Sequence, residues 1–414
     1  MSACVATGCV WSKTKTEFDL DRNSERPLRV AIFLLFASNG LAISSWVVHI
    51  PVLKEQLQLN DQMLGLALLG AGLGSLLTMW VSGWLMARYS SRTIAHLSGI
   101  LLPVSLMGPA LATGFWSLAI ALVLLGGANG LMDIAMNSQA ASYERLIGRP
   151  VMSSFHAGWS LSCWCGSLCG SLFLAEPGWL IYHLPLIALI GSGLTIVANR
   201  RLLSTERRRK NAAILSFPRG ILAVFGLLCL IVMMTEGAVA DWAGVHLRVE
   251  YRVAESMTVF GYNAFSLCMT AGRFAGDRLA HSFGRKGVIV ASAAVSTLGL
   301  VLAALAPTSW LCVAGFALTG CGMANLVPLL FSLAAARAGT DVERATSSVF
   351  ATGYLGFLIG PPLVGLISNH TSLPIALLCL AGGVLLVGST ILRLNGLHSP
   401  VEAAERPGSI DENI

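Results

Sequence analysis

Apolar runs of membrane-spanning length recur along the whole chain, and few folds accommodate that. A helix needs roughly 20 consecutive apolar residues to cross a bilayer. Twelve runs approach this length, at about 28–50, 63–86, 93–113, 115–142, 152–174, 178–199, 219–246, 256–279, 287–306, 309–336, 344–369 and 373–393. Hydrocarbon offers backbone groups no water partner, so the runs must be helices or a closed barrel. They are continuous rather than short alternating stretches, which excludes a barrel. The chain is 55% hydrophobic and 12% charged, with mean hydropathy +0.72; a soluble domain carries about 25% charged residues. The expected fold class is an all-α membrane protein with twelve transmembrane helices in two six-helix bundles.

The net charge of +6 does not mark a nucleic-acid binder, because its distribution follows the loops. With the N-terminus in the cytoplasm, twenty of the 27 Lys and Arg residues flank cytoplasmic ends, Arg88, Arg92 and Arg285 among them. Lys54, Arg248 and Arg252 fall outside. This is the positive-inside bias and predicts N-in and C-in. The run Arg207-Arg208-Arg209-Lys210 is a topology anchor near anionic lipid. Residues 1–25 are polar without a signal-peptide core, so no cleaved signal is expected, and 1–25 and 395–414 read as disordered tails.

Eight of the ten cysteines lie within apolar runs, where thiols pack well, and no disulfide framework is implied. No metal is expected, since only His156 stands near Cys163, Cys165 and Cys169. The chain has no Walker-type phosphate loop. No cofactor is expected, and no nucleophile–base pair points to an enzyme.

The longest charged interior loop, at 200–218, divides the runs six and six. The predicted organisation is a tail over 1–27, a bundle over 28–200, a linker over 201–218, a bundle over 219–394 and a tail over 395–414. A weak repeat supports it. At an offset of 195, Ser153 falls on Ser348, Gly158 on Gly353, Trp159 on Tyr354 and Gly170 on Gly365. Asn39-Gly40 with Trp46 similarly mirrors Glu236-Gly237 with Trp242, allowing a one-residue gap. Two parallel-repeated bundles with a substrate site at the midplane between them are a transporter design.

Asp133 stands within an otherwise apolar run. A carboxylate there costs several kcal/mol, roughly 3 or more, unless paired, protonated or facing a water-filled cavity. Asn129, Asp133 and Asn137 are spaced i, i+4, i+8 and share one drifting helix face. Such a stripe fits hydroxyl binding and proton carriage, or a buried network tying helices together. Glu236 and Asp241 are five apart and so occupy different faces. Counted from Arg219, Glu236 lies roughly 25 Å in and Asp241 roughly 33 Å, at about 1.5 Å per residue. Glu236 is the second coupling candidate; Asp241 is expected near the outer interface, capping or pairing with Arg248. His156 is a third coupling candidate, as proton relay or as packing histidine, roughly 9 Å from the cytoplasmic end if its helix begins at Pro150. Asn39, Trp46, Trp159 and Tyr354 join Asn129 and Asn137 as substrate-binding candidates; plain packing by the aromatics gives the same sequence. His49 is expected at the interface.

The segment Gly83-Trp84-Leu85-Met86-Ala87-Arg88-Tyr89-Ser90-Ser91-Arg92 resembles the loop motif of the major facilitator superfamily, with Ala87 at its acidic position. In the second half Gly272-Arg273-Phe274-Ala275-Gly276 leads into Phe283-Gly284-Arg285-Lys286, with His281 at that position. Ser45-Trp46 with Pro51, Glu236-Gly237-Ala238-Val239-Ala240-Asp241-Trp242, and Ala351 through Pro362 resemble the bacterial YbjJ-type inner-membrane transporters. That group is similar to fucose/sugar proton symporters, which carry an acid followed by Asn on the fourth helix, as Asp133 and Asn137 stand here.

The expectation is a monomeric secondary transporter of the bacterial inner membrane. Its expected partners beside the bilayer are protons and a small polar solute, a sugar-like one by resemblance. An exporter of amphipathic compounds and a non-transporting sensor are the alternatives. Arg88, Arg92, Gly276, Arg285, Pro328, Gly360 and Pro361 are the conformational candidates, with Pro328 bending its helix and Gly360-Pro361-Pro362 breaking its own.

Overall fold

The computed structural model describes residues 22–148, 151–175, 180–204, 218–337 and 342–394. The structure is all-helical over these residues. The first group comprises α1 (Arg22–Val47), α2 (Ile50–Gln56), α3 (Asp61–Arg88), α4 (Ser91–Ser105), α5 (Met107–Ala110), α6 (Phe115–Ile147), α7 (Met152–Ala175) and α8 (Leu180–Asn199). The second comprises α9 (Ile221–Tyr251), α10 (Val259–Leu305), α11 (Ser309–Met323), α12 (Leu326–Arg337), α13 (Val342–His370) and α14 (Leu373–Arg393). Ten helical stretches among the described residues are long and apolar enough to cross a membrane.

Local chemistry sets the breaks. Asn60, Ser90, Thr308 and Ser372 cap α3, α4, α11 and α14 by accepting from backbone N–H groups of the first turn. Pro51 cannot donate to Val47, and α1 gives way to α2 just before it. Gly284, at φ 70°, splits α10 into two arms, so the sequence runs 256–279 and 287–306 join at a sharp bend. Pro328 likewise cannot donate to Ala324, and the helix breaks between α11 and α12 at Ala324–Asn325.

One expectation needs correction. Gly360-Pro361-Pro362 does not break its helix, since α13 runs without interruption from Val342 to His370. Prolines are tolerated in such a helix where neighbouring elements support the freed carbonyls. α1 begins at Arg22, ahead of the apolar run at 28–50. Residues 1–21, most of the 201–218 linker and 395–414 lie outside the described residues.

Packing repeats between the groups. α7 lies on α1 as α13 lies on α9, and α8 lies on α4 as α14 lies on α10. Glycines make the closest approaches. A Cβ on Gly74 would stand 2.0 Å from the Val123 carbonyl oxygen, and one on Gly126 would stand 1.9 Å from that of Ala71, so α3 and α6 touch backbone to backbone. Gly356 meets Leu230 in the same way, joining α13 to α9. Outward faces carry exposed Trp116, Leu172, Ile181, Leu189, Phe274 and Leu298, an apolar exterior suited to lipid.

The two groups meet chiefly through α3 with α13, α7 with α10 and its preceding 3-10 turn (Glu255–Met257), and α2 with α9. Several polar links between them gather at one end. Arg248 of α9 binds Glu55 of α2 through Nε at 2.6 Å and Nη2 at 3.1 Å. Ser368 of α13 donates to Asp61 of α3, and Asn369 donates to Gln62 at 3.4 Å. Ser167 of α7 donates to Asn263 of α10. Gly65 packs on Pro361 and Gly365 at the same end.

Candidate functional site

Between the groups, polar side chains in the middle of long apolar helices face one another. On the first group, Trp159 of α7 donates from Nε1 to Asn39 Oδ1 of α1 at 2.7 Å. Asn39 Nδ2 donates in turn to Asn129 Oδ1 of α6 at 2.9 Å. Asn39 approaches so closely because Gly40, its neighbour, packs on the Trp159 carbonyl and on Cys163. Four residues along α6, Asp133 is exposed, and Asn137 Nδ2 donates to its carboxylate at 3.0 Å and to its carbonyl at 2.9 Å. Asp133 lies roughly 21 Å from the C-terminal end of α6, at about 1.5 Å per residue.

Asp133 does not face lipid. It lies within electrostatic reach of Tyr354 of α13, whose hydroxyl points to Ser75 of α3. Ser75 donates to the Gly126 carbonyl at 2.8 Å. Exposure beside a residue of the other group places Asp133 on the wall of a cleft between the groups. Tyr354 continues an aromatic file with Phe331, Phe350 and Phe357.

The second group presents an ion pair. Arg273 Nη2 of α10 stands 3.6 Å from Glu236 Oε1 of α9, with side chains 48% and 24% exposed. Glu236 is roughly 22 Å from either end of α9, at about 1.5 Å per residue. Arg273 is also within electrostatic reach of His156, on α7 of the first group. His156 is exposed and packs edge-on against Phe36 at 5.3 Å. Its helix begins at Met152, so it lies roughly 6 Å in, less than expected from a start at Pro150. The Tyr262 hydroxyl lies among Glu236, Asp241 and Cys163.

The sequence candidates thus separate. Asn39, Asn129 and Trp159 form one network, Asp133 with Asn137 a second, and Glu236 and His156 converge on Arg273. Trp46 is buried at 5% exposure and packs in the core. The expected pairing of Asp241 with Arg248 is wrong: Arg248 is taken by Glu55 and reaches Glu255 at 3.9 Å. His49 is buried and hydrogen-bonded to His183 at 2.8 Å. Sequence reasoning misses Arg273, Ser75 and Tyr262. A basic residue inside the 256–279 run is the signal for Arg273, hidden by its place in the loop-motif segment.

The conformational candidates are spread out. Arg88 stacks over Trp84 at 5.7 Å, Arg92 donates to Asn199 at 3.3 Å and Arg285 is exposed. Gly276 packs against Asn325, whose Nδ2 donates to the Gly272 carbonyl at 3.1 Å, so the α11–α12 break is held on α10. Pro328 is exposed three residues beyond the break, while Gly360 is buried against Met234. Among the described residues no group of three metal ligands converges, and all eight described cysteines are free.

This architecture recurs in known proteins. The profile of the Major Facilitator Superfamily matches residues 225–411. An uncharacterized MFS-type transporter of Yersinia pestis is 34% identical over 358 residues, covering 85% of this chain and 92% of that protein. Membrane protein MosC of Rhizobium meliloti is 35% identical over 367 residues, covering 87% and 89%. Among solved structures, a point mutant of the nucleoside transporter NupG has TM-score 0.73 at 12% identity, covering 89% of this chain and 99% of its own. A D-xylose-proton symporter has TM-score 0.68 at 14% identity, covering 90% and 97%. The chain belongs to the major facilitator superfamily and is a multi-pass membrane protein of the secondary-transporter class.

Proposed function

We propose that the protein moves a small polar solute across the bacterial inner membrane by alternating access, coupled to protons. The cleft wall carries the reading: Asp133 is exposed between the groups, with Asn137 as its hydrogen-bond donor. An intramembrane acid is costly unless it is used, and a change of its charge during the cycle is its specific use. The Trp159–Asn39–Asn129 network and Tyr354 supply donors, acceptors and ring faces for a hydroxylated ligand. Glu236 and His156 are assigned as further proton-accepting groups.

Taking α1 with α2, α4 with α5 and α11 with α12 as broken single crossings, and the arms of α10 as separate ones, gives twelve. The bundles are then 28–200 and 219–394, and the charge distribution sets both termini in the cytoplasm. The end closed by Arg248–Glu55 becomes periplasmic, so this state opens inward. Gly276, Pro328, Gly360 and Pro361 are assigned to the rocking of the bundles, with Arg88, Arg92 and Arg285 at their cytoplasmic ends.

Counterflow of labelled hexoses, polyols and nucleosides in proteoliposomes tests the reading. Uptake driven by the same solute inside, with accumulation that follows an imposed pH gradient, is expected. Binding without exchange would replace the transporter by a sensor, and exchange restricted to amphipathic cations would replace the polar-solute assignment.

A further inference from the structure

We infer that the transported solute carries a carboxylate, and that Arg273 receives it in competition with Glu236. This rests on the transporter reading above and names the chemical class of its substrate. A guanidinium stays protonated in any protein setting, whereas carboxylic acids, histidine and tyrosine, the other ionisable types named around it, each have a neutral form. Arg273, beside Glu236 of its own group and His156 of the other, is therefore a permanent charge between the groups. When the bundles close and water leaves, that charge needs a counterion, because an unpaired ion in a dry interior is strongly unfavourable.

Glu236 is an incomplete counterion. Its Oε1 stands 3.6 Å from Arg273 Nη2, longer than the roughly 2.7–2.9 Å of a charge-assisted hydrogen bond. A guanidinium has five N–H donors in a planar fork, and about half of this side chain, 48%, remains exposed. A carboxylate entering there can take the fork bidentately, with Glu236 released. The Asn39, Asn129 and Trp159 network on the other group offers donors and acceptors for the solute's hydroxyls. A cationic solute would instead meet the Arg273 guanidinium as a like charge, an encounter that disfavours it at this position.

The test uses the full chain in nanodiscs with matched probes: glucuronate, glucose and glucosamine, and the acyclic pair gluconate and sorbitol. A ligand that binds the folded state raises the unfolding temperature. The acids are expected to do so in the unmodified protein and the neutral and amine probes to do so much less. Arg273→Gln should abolish the acid shift and Arg273→Lys should keep part of it. Glu236→Gln, which removes the internal competitor, should tighten acid binding about tenfold. No shift with either acid, an acid shift that survives Arg273→Gln, an affinity untouched by Glu236→Gln, or a preference for glucosamine would each overturn the assignment. Neutral probes that exchange in proteoliposomes while the acids do not would remove the anion site and leave the transporter reading standing.

Discussion

Arg248 and Glu55 form a two-contact clasp between the helix groups, at 2.6 and 3.1 Å, while the Arg248 Nη1 donates to the Val253 carbonyl at 2.7 Å. One side chain therefore fixes both the partner bundle and its own following loop. The neighbouring Lys54–Asp61 pair at 2.8 Å and the Ser368–Asp61 bond extend the seam. Alternating access requires this seam to part.

Glu55→Gln should weaken the clasp without unfolding either bundle. An exposed pair of this kind contributes about 0.2–1 kcal/mol, so the closed population should fall by up to roughly fivefold. Distance measurements between spin labels at the 56–61 and 252–258 loops should show a larger separated fraction. An unchanged distribution would assign the seam to apolar packing by Gly65, Pro361 and Gly365.

Asp133→Asn should abolish uphill accumulation of solute yet keep exchange within about tenfold, or about 1.4 kcal/mol. Asparagine preserves shape and the Asn137 contact but cannot take up and release a proton. Uptake by the variant against a gradient, with unchanged pH dependence, would make Asp133 a structural group.

Backbone contact between α3 and α6 gives a stability prediction. Gly126→Ala drives a methyl into the Ala71 carbonyl, a rigid neighbour, and should cost about 1–3 kcal/mol. Gly382→Ala meets nothing within 4 Å and should be neutral or stabilising by up to about 1 kcal/mol. Thermal unfolding of the two variants in one detergent compares them directly.

Reporters test the orientation. Fused after Lys210 a reporter should be cytoplasmic, and in the Arg248–Glu255 loop periplasmic, because arginines crowd one side of the runs. Opposite labelling would invert the direction in which the cleft opens.

Much of the architecture is legible in the sequence because local composition dictates it. A run of about twenty apolar residues has no other low-energy state than a helix in lipid. The 195-residue offset likewise anticipates that α7 sits on α1 as α13 sits on α9. Pairings between distant residues are not legible. Glu236 stands out in the sequence while Arg273 is hidden in the loop-motif segment, and nothing local joins them; the same lack of a local link holds for His49 with His183. Proximity along the chain suggests Arg248 for Asp241, although Glu55, far away in the chain, offers the better geometry. Prolines divide by context. Pro328 predicts a bend, and the helix breaks at the carbonyl it cannot reach, whereas Pro361 and Pro362 sit in a helix that neighbouring packing carries through.

Pro328 also supplies the last prediction. Alanine there restores a donor for the Ala324 carbonyl and favours fusion of α11 with α12 into one helix. The break positions Asn325 against Gly272 and Gly276 of α10, the helix that bears Arg273. Healing it should stiffen the link between these helices without touching the polar wall of the first group. Pro328→Ala is therefore expected to slow the transport cycle while equilibrium affinity stays within about tenfold, or about 1.4 kcal/mol. Calorimetric binding beside vesicle transport rates separates the two effects. A variant that loses binding but cycles at the normal rate would show that Pro328 shapes the site through Asn325 and does not act as a hinge.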